Sequence, residues 1–205
     1  CPGSALSHHN LGHALSLAGR QADAIPHFDE ALRLQPGYPQ ALYNRGNAFG
    51  VQGDVDKAAA DYREALRSKP DYEQAYYSLG NALALQGKLD EARTNFLAAL
   101  RSKPDYAEAH TRLGNLLLLQ GARAEAMRHL HEAVRWRPDY EEGHYYLAGE
   151  LARQKEFTGA VTHLRAALRA KPDYPAALND LAWILAAEQA PEVRDVPEAM
   201  RLARQ

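Results

Sequence analysis

The side chains in this 205-residue chain that could ligate a metal, shuttle a proton or attack a substrate are nine histidines, one cysteine and 26 carboxylates. His9 and His13 stand four residues apart, the helical spacing that lets two imidazoles reach one ion. His8 is adjacent, but no third ligand accompanies them by pattern, so neither a metal nor another cofactor is expected. His27, His129 and His163 hold equivalent places and read as the residue of duplication, with no shared site following from it. The carboxylates lie mostly at periodic positions on outer helix faces, which suits a solvated surface better than an acid–base pair. Cys1 is the only cysteine, so no internal disulfide can form. A cysteine in first place suits an acylated lipoprotein start or a cut end of a longer chain. The sequence contains no Gly-rich phosphate loop, no nucleophile elbow and no spaced cysteine ligands. It reads as a chain that does no covalent chemistry.

What organises these residues is a period. RSKPDY occurs at residues 67–72 and again at 101–106. Pro36, Pro70, Pro104, Pro138 and Pro172 are 34 residues apart, each followed by a tyrosine: Tyr38, Tyr72, Tyr106, Tyr140 and Tyr174. Such an interval means stacked units that each touch mainly their neighbours. Hydrophobic residues make up 46% of the chain, enough for a continuous core. The net charge of −2 supplies no broad basic field, so nucleic acid is not an expected partner. No apolar run, residues 116–119 included, approaches the length of a membrane span, and no transmembrane segment is expected.

Within one unit, Tyr76, Leu79, Gly80 and Leu83 recur at helical spacing, and Gly87 supplies a left-handed stop. A second helix carries Ala92, Phe96, Ala99 and Leu100 on one face and ends before Pro104. Asp71, Asp105 and Asp139 stand three residues before Gln74, Glu108 and Glu142, which predicts that they cap the first helices. Gly12, Gly46, Gly80 and Gly114, with Ala148 and Ala182 later, mark where paired helices approach closely. Phe28, Tyr62, Phe96, Leu130 and Leu164 fill the space between them. Lys155 stands where the other full units have glycine, so it must turn left-handed or change the turn. In the last unit the turn is lengthened by five residues and holds Pro191 and Pro197, ahead of a helix that Asp195 and Glu198 can cap. Residues 204–205 read as helical.

The Leu79–Gly80 pair, Ala92, Phe96, Ala99 and Pro104 fall where the tetratricopeptide repeat (TPR) family has its signature, and the resemblance covers five units in one register. It implies an all-α, right-handed superhelical solenoid of antiparallel helix pairs. Residues 1–205 are expected to form one domain, with repeats at 5–38, 39–72, 73–106, 107–140 and 141–174 and an atypical repeat at 175–205. The resemblance also places ligand contacts on the groove face of the first helices: Asn10, Tyr43, Asn44, Asn47, Tyr77, Asn81, Thr111, Arg112, Asn115, Tyr145 and Trp183. Asn47, Asn81 and Asn115 are one period apart, and an amide can both donate to and accept from a peptide unit. This column resembles the asparagine ladder in the TPR arm of O-linked N-acetylglucosamine transferase. Leu17, Val51, Leu85 and Leu119 form a second, apolar column that Arg153 interrupts. Packing between repeats is one explanation for it; reception of ligand side chains is the other.

These residues point to an interaction scaffold that binds a peptide segment or partner protein in its groove. The alternatives are the substrate-recognition arm of a larger, glycosyltransferase-like enzyme, or a scaffold that self-associates through its end faces. A clamp for a terminal carboxylate would need converging basic residues. The corresponding places hold Tyr43, Asn47, Ser78, Glu108 and Arg112, of which only Arg112 is basic.

Overall fold

The computed structural model describes residues 3–187 and 190–204; Cys1 and Gln205 lie outside the described residues. Twelve α-helices and no strand are found among the described residues. They are α1 (Ala5–Leu17), α2 (Gln21–Leu34), α3 (Pro39–Val51), α4 (Val55–Ser68), α5 (Glu73–Leu85) and α6 (Leu89–Ser102). There follow α7 (Ala107–Leu119), α8 (Arg123–Trp136), α9 (Glu141–Arg153), α10 (Phe157–Ala170), α11 (Pro175–Ala186) and α12 (Val196–Leu202). Each sequence repeat folds as one antiparallel hairpin. Among the described residues no helix is long and apolar enough to cross a membrane.

The turn inside each hairpin is set by one backbone conformation. Gly19, Gly53, Gly87 and Gly121 all have φ between 75° and 84°. In each case the next residue donates its N–H to the carbonyl five positions back, as Lys88 does to Leu83 and Asp54 to Phe49, both at 2.9 Å. This closes the last helical turn with its carbonyls satisfied. Lys155 takes the first of its two options: φ is 65°, and Glu156 donates to Leu151 at the same 2.9 Å.

The helices of a hairpin meet where a side chain is missing. A Cβ built on Gly80 would lie 2.6 Å from Cε1 of Phe96; at Gly46 it would lie 2.7 Å from Cε1 of Tyr62. Gly12 against Phe28 and Gly114 against Leu130 repeat the contact at 2.8 Å. Phe28 and Phe96 are thereby fully buried. In the fifth hairpin Ala148 replaces glycine, and its partner Leu164 is not a ring.

Between hairpins the chain turns at its prolines. Lys69 leaves α4 with φ −138° and ψ 90°, the extended geometry a following proline demands. Tyr72 then donates its N–H to the Lys69 carbonyl at 3.3 Å, a turn with proline in its second place. The Lys69 ammonium lies 4.6 Å from the centre of the Tyr72 ring, and Arg137 over Tyr140 and Lys171 over Tyr174 repeat the arrangement. The sequence KPDY is therefore a turn closed by its own cation and ring.

Here one expectation fails. The aspartates do not cap the first helices. The N-cap residues are the tyrosines that follow them, Tyr72, Tyr106 and Tyr140, with no side-chain cap hydrogen bond. The proline turn takes up the aspartate, one residue too early, and the tyrosine occupies the last non-helical position. Glu142 instead accepts from the Tyr140 hydroxyl at 2.8 Å and pairs with Arg112 at 2.8 Å. In α12 the expected cap does form: the Glu198 N–H donates to Asp195 Oδ1 at 2.9 Å. That helix ends at Leu202 with Ala203 as its C-cap, so Arg204 falls outside it.

Two compact units divide the chain, Cys1–Pro104 and Asp105–Gln205. In the first, the hairpins α1/α2, α3/α4 and α5/α6 are joined through α2 against α3 and α4 against α5. Its first helices also touch, α1 with α3 and α3 with α5. In the second, α8 packs on α9, α10 on α11 and α7 on α9, around a core running from Leu130 to Leu202.

Replacing Gly80 with alanine is expected to destabilise the protein by about 1–3 kcal/mol, because the methyl must displace the buried Phe96 ring. Replacing Lys155 with glycine is expected to stabilise it by about 1 kcal/mol, the left-handed strain outweighing the added unfolded-state entropy. Thermal midpoints of the two variants against the parent check both.

Candidate functional site

The first helices present three kinds of side chain, and burial separates them. Among the described residues Leu17, Val51, Leu85 and Leu119 are the most exposed large hydrophobic side chains, each between 72% and 78% exposed. Packing between repeats does not account for the apolar column. Each sits at the last residue of a first helix, just before the left-handed turn, where the second helix has not yet begun. Arg153 holds that place on α9 and turns back to Glu150, which it contacts at 2.6 Å.

One turn earlier lie the asparagines, half-buried, and two of them are held by the fold. Asn47 accepts from the Tyr62 hydroxyl at 2.8 Å, and the Asn115 amide lies 3.3 Å from the Tyr146 hydroxyl. Asn81 makes no side-chain hydrogen bond among the described residues. A further turn back, Tyr43 packs on Tyr62 and Tyr72, Tyr77 on Phe96, and Tyr145 on Tyr146 and Tyr174. Burial raises the Tyr62 hydroxyl well above its usual range and pushes Tyr72 up to about 12, so both stay neutral donors.

Of the other expected groove residues, Asn10 is exposed, and Asn44 sits 2.9 Å from His9 Nε2. Arg112 is committed to Glu142. Thr111 is fully buried and cannot reach a ligand: Gly143 on α9 brings the neighbouring backbone against it, to 3.3 Å between the Thr111 oxygen and a built Cβ. Trp183 is 60% exposed and borders a hollow of about 200 Å³ with Gly149, Ala152, Asp180 and Ile184. Gly149 takes the asparagine's place there, which opens the hollow.

The sequence reading missed half of the histidine arrangement. His27, His129 and His163 each meet a histidine of the preceding helix: His8, His110 and His144. The Nδ1–Nδ1 separations are 3.4, 3.0 and 2.9 Å. The signal was present, since residues 8, 110 and 144 also differ by whole periods. His144 Nε2 lies 2.9 Å from the Pro138 carbonyl, an acceptor only, so Nε2 carries the proton and Nδ1 accepts from His163. In the second repeat the equivalent places hold Leu42 and Asp61. There Arg45 forks onto Asp61 at 2.7 and 2.8 Å and reaches Asp29 at 2.7 Å. Among the described residues no three His, Cys, Asp or Glu side chains stand close enough to hold a metal ion.

Stacked two-helix hairpins with glycine against ring inside each, a proline–tyrosine turn between them and exposed columns on the first helices define a class of helical repeat proteins that bind through surface. The chain belongs to the tetratricopeptide repeat family: the family model described as tetratricopeptide repeat matches residues 9–73, 43–93 and 145–201, and a second TPR model matches 80–121. No curated protein sequence matches the chain. Among solved structures it is similar to Pseudomonas aeruginosa pilF, with a TM-score of 0.86, 19% identity and coverage of 98% of this chain and 89% of that one. It is also similar to YrrB, described as a TPR protein with an unusual peptide-binding site (TM-score 0.68, 23% identity, 86% and 91% covered). A thermophilic TPR protein of Thermus thermophilus is similar at 26% identity, with a TM-score of 0.68 and 87% and 97% covered.

Burial, with His144 and His131 nearby, lowers the His163 pKa to about 4, against about 6.5 for an unperturbed histidine. Between these values the unfolded chain takes up a proton that the folded chain refuses. The stability this group contributes is thus complete above pH 6.5 and is lost as pH falls toward 4. The thermal midpoint is expected to drop on going from pH 7 to pH 5, and less steeply in His163→Asn; calorimetry across that range checks it.

Proposed function

We propose that this TPR protein binds an extended segment of a partner protein along the exposed flank of its first helices, without a covalent step. TPR repeats are in general protein–protein interaction scaffolds, and the side chains here suggest how this one engages its partner. The observation that carries the reading is the apolar column: Leu17, Val51 and Leu85 in the first unit, with Leu119 in the same place in the second, all strongly exposed. A large aliphatic side chain left in water at the same place in four successive repeats contributes nothing to the fold and gains about 1.5–3 kcal/mol when a ligand covers it.

The polar residues one turn away supply the second half of recognition. With its carbonyl taken by Tyr62, half-buried Asn47 would recognise a ligand through its amide hydrogens, and Asn81 would offer both donor and acceptor. Backbone groups of an extended segment would pair with these amides, and its side chains would cover the aliphatic column. YrrB, similar in fold, is described as having a peptide-binding site, which agrees with this reading. Within the second unit, exposed Trp183 beside the hollow that Gly149 opens would take one larger side chain of a partner.

Val51→Asp and Leu85→Asp test it, since both positions are exposed and the fold does not need them. Partners are captured on the parent protein, identified by mass spectrometry, and the bound segment is synthesised for calorimetric titration. Each variant is expected to weaken binding at least about tenfold, the equivalent of about 1.4 kcal/mol, with an unchanged thermal midpoint. Equal affinity for parent and variants would remove the column from the site. Loss of binding in Asn81→Ala alone would leave only a backbone ladder.

A further inference from the structure

We infer that the hollow between α9 and α11 in the second unit is a specificity pocket for an arginine side chain of the partner segment, held between the Trp183 ring and the Asp180 carboxylate. The inference deepens the function proposed above, and rests on it in assigning the arginine to the segment that lies along the first helices.

The pocket begins with a departure from the repeat. Residues 47, 81 and 115 are asparagine, but the same place holds Gly149 on α9 and Trp183 on α11. A Cβ built on Gly149 meets nothing within 4 Å, so the missing side chain leaves space that packing does not fill. Gly46, Gly80 and Gly114 differ, since a neighbouring side chain packs against each. The resulting hollow of about 200 Å³ is lined by Gly149 and Ala152 from α9, Leu164 from α10, and Asp180 and Trp183 from α11. Of the residues lining it, only Asp180 is charged.

The carboxylate and the indole are presented together. Asp180 stands three residues before Trp183, so both project from one face of α11. Trp183 stays exposed, whereas Tyr43, Tyr77 and Tyr145 each pack on another ring. Tyr145 hydrogen-bonds to Asp180; burial, with the Asp180 charge adding to it, raises the phenol above its usual range and keeps it a neutral donor. One such bond leaves the carboxylate further acceptor sites.

The surrounding charge has the same sign. Burial raises the hydroxyls of Tyr146 and Tyr174, and the charge of Glu142 adds to it in both. Arg112 offsets Glu142 at 2.8 Å, and Arg153, the residue after Ala152, turns back to Glu150 at 2.6 Å. Among the described residues Asp180 forms no ion pair, so the pocket carries a negative charge without a counter-ion. An indole face attracts a cation, and more strongly than the other aromatic rings do. A guanidinium suits this place better than an ammonium: it is planar and weakly hydrated, stacks on a ring and forks onto a carboxylate. Its aliphatic stem would lie along Gly149, Ala152 and Leu164.

The probe is N-acetyl-arginine N-methylamide, followed through the Trp183 indole N–H and the Gly149 amide in nitrogen–proton correlation spectra. Trp183→Phe assigns the indole signal against that of Trp136. Saturable shifts of both groups are expected, with a dissociation constant in the millimolar range. The lysine analogue is expected to bind at least about threefold more weakly, and the citrulline analogue, similar in shape but uncharged, not measurably. Asp180→Asn should weaken the probe about tenfold, and Gly149→Leu, which fills the hollow, should abolish its binding. The remaining signals of each variant verify its fold. Absence of a saturable shift, equal affinity for the citrulline analogue, or full affinity in Asp180→Asn overturns the proposal. Val51→Asp and Leu85→Asp lie in the first unit and are expected to leave the probe's affinity unchanged, so failure of the apolar column and failure of this pocket are read separately. In the segment captured by the parent protein, citrulline in place of the arginine should weaken binding about tenfold. A captured segment that contains no arginine overturns the assignment to the partner.

Discussion

Each hairpin depends on a close approach between one helix backbone and one large side chain. With glycine at residue 12, 46, 80 or 114, the second helix can set a ring or a leucine directly on the first helix, and a single methyl group would fill the same space. That contact fixes the separation and rotation of the pair, and with them the direction in which every other first-helix residue points. The left-handed turn then only has to reverse the chain without straining it. The proline–tyrosine turn hands the chain to the next hairpin in the same register. Small residues and turns set the geometry, and the variable positions are free to differ.

Much of this was legible in the sequence because it is periodic. The interval of 34, the glycine column and the large side chains facing it follow from position within a repeat, and so does the choice at Lys155, which the backbone settles as left-handed. The capping aspartates misled because local pattern matched a capping box while the neighbouring proline decided the backbone. Thr111 misled for a different reason. Its place in the repeat is a groove position, but Gly143 in the next repeat lets the backbone close over it. A periodic rule gives the average neighbour, and Thr111 has an unusual one.

The candidate site shows the same division. Which residues lie on the first-helix flank could be counted out in advance. Whether the aliphatic column was covered could not, because exposure depends on where the second helix starts relative to the helix end. Nor could the partners of Asn47 and Asn115, since tyrosine hydroxyls on other helices reach them. The histidine pairs were within reach of arithmetic: both members recur by whole periods, and comparing first helices as well as second helices would have joined them.

One position of the repeat has been put to different uses along the chain. Where the first, fourth and fifth hairpins are fastened by two imidazoles, the second is fastened by the Arg45 guanidinium forked onto Asp61. Two imidazoles sharing one hydrogen hold only while at least one is uncharged. A guanidinium–carboxylate fork holds by two parallel hydrogen bonds between opposite charges. The same place in the repeat is therefore closed by two aromatic rings in some hairpins and by a charged fork in the second, two different chemistries carried on one backbone frame.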